Sequence, residues 1–70
     1  MRVSVSNPVM LPELVEFLSR ASCVSRGPRG ASVDVDLPHA RTSAQARREL
    51  RLYLAAWSGL HPNVDVRMLD

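Results

Sequence analysis

Residues 27–37, Gly27-Pro28-Arg29-Gly30-Ala31-Ser32-Val33-Asp34-Val35-Asp36-Leu37, decide how this chain is read. From Ala31 onward the stretch alternates strictly: Ala31, Val33, Val35 and Leu37 on one side, Ser32, Asp34 and Asp36 on the other. A period of two marks a strand with one apolar face. Gly27 to Gly30 is a turn by composition, because glycine accepts positive φ and proline presets the backbone for a reversal. Ser22 to Arg26, just before the turn, reads as a short strand whose facing the pattern does not settle. The middle of the chain is therefore a hairpin.

Both flanks add a helix and a strand. On the N-terminal side, Arg2-Val3-Ser4-Val5-Ser6 alternates with Val3 and Val5 inward, and Asn7-Pro8 breaks it. Leu11, Leu14, Val15 and Leu18 then recur at helical spacing. Pro12 fits a first helical turn, where its missing N–H costs nothing, so the helix starts near Leu11 after a preliminary turn at Pro8 to Met10. Glu13 and Glu16 near its start and Arg20 near its end suit the helix dipole. On the C-terminal side, Pro38 ends the hairpin strand. Thr42 with Gln45 matches a capping box. Ala46, Leu50, Tyr53, Leu54 and Trp57 make an apolar stripe. Gly59 followed by Leu60 suggests a left-handed C-terminal cap, and Val64, Val66 and Met68 face inward on a last strand.

The order strand, helix, strand, strand, helix, strand predicts an α+β, two-layer sandwich. It has an antiparallel four-stranded sheet in the order 4-1-3-2, with both helices on one face. The whole of residues 1–70 is one domain. Val3, Val5, Leu14, Leu18, Val33, Val35, Leu50, Leu54 and Val66 are expected in one core.

So short a chain buries only about 60% of the surface its unfolded form exposes. Its core needs nearly all the hydrophobic residues it has, and association with a partner would add stability. The single cysteine, Cys23, cannot form an intramolecular disulfide, the first twenty residues do not read as a signal peptide, and no apolar run is long enough for a membrane span. The expectation is a soluble cytoplasmic protein. The net charge of +2 comes from nine arginines without a lysine, weak steering for a polyanion.

The element order resembles that of ferredoxin-like domains over the full chain. Family by family, the functional positions differ. RNA-recognition motifs stack bases on outward aromatics of the central strands; the matching positions here are Ser4, Ser6, Ser32, Asp34 and Asp36. Heavy-metal-associated domains carry CxxC after the first strand, where this chain has Ser6-Asn7-Pro8-Val9. Acylphosphatases place an arginine in that loop, and small-molecule-sensing ACT domains a glycine at the first helix; neither residue is there.

Candidate chemistry is sparse. His39 and His61 flank the second helix, too far apart for one metal ion, and Cys23 has no CxxC partner, so no metal or other cofactor is expected. Asp34 and Asp36 share a strand face, which suits acid–base work when environment separates their pKa values. Cross-strand pairing with Arg2 is the expected role instead. Tyr53 and Trp57 are expected in the core. The chain reads as a non-enzymatic binding or interaction module. Its expected partner is a protein or a second copy, met through the open sheet face of Arg2, Ser4, Asp34, Asp36, Arg67 and Leu69. The alternative is weak nucleic-acid or polyanion binding by Arg41, Arg47, Arg48 and Arg51 on the second helix.

Overall fold

The computed structural model describes residues 1–69. Its elements are β1 (Arg2–Val5), a 3-10 turn (Pro8–Met10), α1 (Leu11–Arg20), β2 (Val24–Arg29), β3 (Ser32–Asp36), α2 (Ser43–Leu60) and β4 (Val66–Met68). The strands form one antiparallel sheet in the order β2-β3-β1-β4, so β1 and β3 are central and β2 and β4 are edges. In register, Arg2 faces Asp34, Val3 faces Val33 and Ser4 faces Ser32. On the other side of β1, Val3 faces Met68 and Val5 faces Val66. Hydrogen bonds carry the β1–β4 ladder past both assigned ends: Ser6 N–H donates to the Asp65 carbonyl at 2.8 Å, and Leu69 N–H to that of Arg2 at 2.9 Å.

Alternation sends Val3, Val5, Val33 and Val35 to one face, where Leu11, Leu14 and Leu18 of α1 and Leu50, Leu54 and Trp57 of α2 cover them. Both helices thus lie on the same side of the sheet. Leu14, Leu18, Leu50, Val3, Val33 and Val35 lose all contact with solvent. Cys23, Leu37 and Val64 complete the core. Val66 and Tyr53 are only partly buried and pack at its margin. The opposite sheet face is open.

Three local expectations need correction. The hairpin does not turn at Gly27. Gly27 has φ +52° inside β2, the register shifts between Arg26 and Arg29, and the chain reverses only at Gly30 (φ +57°) and Ala31. A left-handed glycine in an edge strand makes a bulge, in which one extra residue is absorbed without ending the pairing. β2 therefore starts later and runs longer than Ser22 to Arg26. Second, Gly59 does not cap α2. It is helical, and His61 is the cap, with its N–H donating to the Ser58 carbonyl at 3.1 Å. The His61 ring stacks on Trp57, centroids 4.1 Å apart, and Nδ1 lies 3.0 Å from the Trp57 carbonyl. A side chain thus satisfies an end carbonyl that a glycine turn would otherwise have served. Third, β4 is shorter than expected, because Val64 N–H bonds back to the His61 carbonyl instead of entering the ladder.

The left-handed cap is at the end of α1. Ser22 has φ +64°, its N–H donates to Ser19, and Cys23 N–H donates to Leu18 at 2.9 Å. These two bonds are the Schellman pattern, and the buried pair Leu18 and Cys23 supplies its hydrophobic contact. The expected cap at the start of α2 forms through Gln45 N–H donating to Thr42 Oγ1 at 3.0 Å, while the Gln45 side chain reaches one residue further back, Oε1 accepting from Arg41 N–H at 3.2 Å.

Two predictions follow from these placements. Leu54→Ala, at a position 6% exposed, should lose about 2–5 kcal/mol in chemical denaturation. Leu52→Ala on the same helix, 65% exposed, should stay within about 0.5 kcal/mol at dilute protein. Equal losses would mean α2 is rotated about its axis. Ser22→Gly should raise stability by up to about 1 kcal/mol, because an exposed serine is held in a conformation that only glycine adopts without steric cost.

Candidate functional site

Four charged groups of the open sheet face pair with one another. Arg2 meets Asp34 at 3.4 Å and also donates to Ser32 Oγ at 3.2 Å. Arg26 meets Asp36 at 3.0 Å. The two carboxylates thus take different partners on the strands either side of β3, Asp34 the expected Arg2 and Asp36 an arginine of β2. Ser4 sits between Ser32 and Arg67, and Arg67 and Leu69 are exposed on the β4 side. Each ion pair on this face is open to solvent, where such pairs contribute little. A partner docking here would have to desolvate them.

The titratable groups inside the helix layer are separated in the same way. Glu49 Oε2 is buried without a well-directed hydrogen bond, 3.3 Å from His39 Nε2. At the other end of α2, His61 Nε2 lies 3.5 Å from Glu13. The two histidines keep to opposite ends of the helix, and no group of three or more His, Cys, Asp or Glu is close enough to hold a metal among the described residues. Ser25 faces inward opposite Val35, its hydroxyl buried and unpaired among the described residues. Cys23 is a free buried thiol whose pKa is raised, first by burial and then by the negative charge of Glu49. Nucleophilic chemistry needs the thiolate, which both effects oppose.

Of the four arginines singled out with the second helix, Arg41 precedes α2 and Arg47, Arg48 and Arg51 lie on one broad side of it, but they border different grooves. Arg41 and Arg47 line a groove of about 530 Å³, between the start of α2 and the end of the sheet where β2 begins and β3 ends. Arg26 lines it too, from β2. Arg51 lines a different, shallower groove, between α2 and β4. Arg48 is exposed and lines neither. Arg26 is too far away in sequence to be grouped with Arg41 and Arg47; only the β2–β3 pairing brings it beside them.

A second surface also goes unannounced by the arginine count. Leu52 and Leu60 of α2 are 65% and 71% exposed. With Ala56 between them they are spaced i, i+4, i+8, one continuous ridge that Arg48 extends toward the helix start. Ala55 and Gly59, also exposed, lie beside it. The spacing was present in the sequence, but the stronger stripe through Leu50, Leu54 and Trp57 masks it.

No family model, curated protein or solved structure matches the chain. No helix among the described residues is long and apolar enough to cross a membrane.

Burial of Cys23 has a consequence for pH. Its pKa in the folded state lies above the ordinary thiol value of 9.0. The neutral thiol therefore contributes stability that is complete below 9.0 and is lost as pH rises through the folded value. Wild type should lose stability with rising alkaline pH more steeply than Cys23→Ala, measured by urea denaturation. Glu49→Gln should speed alkylation of the native thiol by lowering its pKa; an unchanged rate would show that access alone limits the reaction.

Proposed function

We propose that this protein is a non-enzymatic interaction module of ferredoxin-like topology that pairs with a second copy of itself along α2. The strand order, read from the β4 edge as 4-1-3-2, supports the topology. The non-enzymatic reading rests on the state of the reactive groups. Both central carboxylates are paired with arginines at the surface, and the thiol is buried with its ionisation opposed. A free buried thiol also suits a reducing compartment such as the cytoplasm.

The observation that carries the pairing is the exposed ridge Leu52-Ala56-Leu60. It is a better contact than the sheet face named from the sequence, because it offers apolar area with no ion pairs to strip of water. Small residues at 55, 56 and 59 leave a shallow groove beside the ridge. Two copies can set i±4 ridges into each other's grooves, crossing at roughly 50°. A two-fold axis at Ala56 brings Leu52 against the partner's Leu60. Charge favours the antiparallel sense. Arg47, Arg48 and Arg51 all lie in the first half of α2, and its last turn holds no basic residue. In an antiparallel pair, Arg48 of each copy reaches the partner's α2 C-terminus, the negative end of its dipole. The contact spans about 12 Å of helix. That is well short of the roughly 800 Å² per partner of a standard interface, so the dimer should be weak and concentration-dependent.

Sedimentation equilibrium should detect reversible dimer at high micromolar protein. Leu52→Arg should abolish it without altering the circular dichroism, since Leu52 packs against nothing in the monomer core. Arg67→Glu on the sheet face should leave dimerisation intact. The opposite pattern would return the interface to the sheet; a monomer at every concentration would end the self-association reading. The alternative function, polyanion binding by Arg41, Arg47, Arg48 and Arg51, has their closeness in sequence as its support. It calls for nucleic-acid binding at low salt that weakens steeply as salt is added.

A further inference from the structure

We infer that the groove between the start of α2 and the ends of β2 and β3 is a binding site for a small organic phosphate. This inference is independent of self-association: the groove and the Leu52-Ala56-Leu60 ridge have no lining residue in common. Three features support it. The first is charge. Three guanidinium groups, of Arg26, Arg41 and Arg47, line the groove, with Asp36 as the only acidic side chain lining it among the described residues. Asp36 is already engaged by Arg26 at 3.0 Å.

The second feature is hydrogen-bond polarity. Arginine side chains only donate. Thr42 and Ser43, which also line the groove, can donate their hydroxyl protons. Thr42 Oγ1 already accepts from Gln45 N–H, which leaves its own proton to give. Apart from Asp36, then, the side-chain polar lining suits an acceptor-only ligand. Arginine matches phosphate oxygens in paired, planar geometry. The start of the helix is not what makes the site, since Arg41 N–H and Gln45 N–H are both used within the cap.

The third feature is shape. The volume, about 530 Å³, far exceeds what a bare ion needs and falls within the usual range for small-molecule sites. Val24, Leu37 and Ala46 supply apolar wall. Val24 is 43% exposed on the edge strand. An apolar body beside a phosphate headgroup uses both kinds of lining. A nucleic acid backbone would instead require the arginines to follow one another along an open surface, whereas Arg48 and Arg51 lie outside this groove.

Titration of the ¹⁵N-labelled full chain with phenyl phosphate and, separately, with inorganic phosphate tests the inference. Phenyl phosphate should shift the amides of Arg41, Thr42, Ser43 and Ala46 in a saturable way, and bind more tightly than inorganic phosphate. Arg41→Ala should weaken it about tenfold, the scale of one charge-assisted hydrogen bond. Arg29→Ala removes the same charge at the far hairpin end and should change affinity by less than about twofold. Equal weakening by both variants would reduce the effect to net charge and overturn the site, as would the absence of saturable shifts. A single-stranded RNA that binds more tightly than phenyl phosphate, and loses that binding in Arg48→Ala/Arg51→Ala, would overturn it in favour of a polyanion surface. Because Arg41 and Arg29 are both exposed, each variant is expected to keep the wild-type fold, checked by its unshifted core resonances.

Discussion

Everything in this molecule depends on a single layer contact, the leucines of two helices against four valines of the two central strands. Val3 and Val33 face each other across the β1–β3 pair, and both are closed to solvent. Leu14 and Leu18 cover them from α1, Leu50 and Trp57 from α2. In a domain this size there is no second core to fall back on. The constraint explains why polar groups are kept out. Among the described residues none that is buried is polar or charged, and two partly buried ones with buried oxygens lacking a hydrogen bond, Ser25 and Glu49, lie on β2 and α2. Chemistry that needs a buried, polar, preorganised pocket would compete with the only packing that holds the fold together.

The elements with strict periodicity were legible before any coordinates. Alternation in 31–37 places Val33 and Val35 inward, and the 3.6-residue period places Leu14, Leu18, Leu50 and Leu54. These patterns are legible because each residue's facing is set by the geometry of its own element. Local backbone chemistry was less so. Gly27 and Gly30 look alike in sequence, and both have positive φ, but one makes a bulge and the other the turn. What separates them is cross-strand register, a non-local property. Ser22 and Gly59 reverse the usual preference. The serine takes the left-handed position and the glycine stays helical, because Cys23 fits the core contact that closes α1 while His61 stacks on Trp57 to close α2.

The candidate sites were legible only in part, for a related reason. Arg47, Arg48 and Arg51 lie within about 100° of one another around α2, while Arg41 precedes the helix. The groove joins Arg41 and Arg47 to Arg26, which arrives through strand pairing, and to Asp36 at the end of the central strand β3. Composition counts the arginines; topology decides which of them meet. The sheet face shows the converse. Alternation puts Arg2, Asp34 and Asp36 on one face, but it does not reveal that Arg26 joins them or that they pair off as Arg2 with Asp34 and Arg26 with Asp36.

The distribution of charge along α2 ties the two proposed surfaces together. A helix of ordinary design puts acids in its first turn and bases in its last, matching its own dipole. α2 has neither: its first turn lacks acids, its last lacks bases, and its arginines crowd the first half. Left alone, that arrangement works against the helix, since positive side chains lie toward the positive end of the dipole. It becomes favourable once anions occupy the first half or another helix presents its C-terminus to it. An anionic ligand in the groove would meet the first condition through Arg41 and Arg47. An antiparallel second copy would meet the other through Arg48. The same charge pattern would suit both proposed surfaces, and it is the kind of local conflict with the fold that proteins tolerate where the surroundings compensate for it.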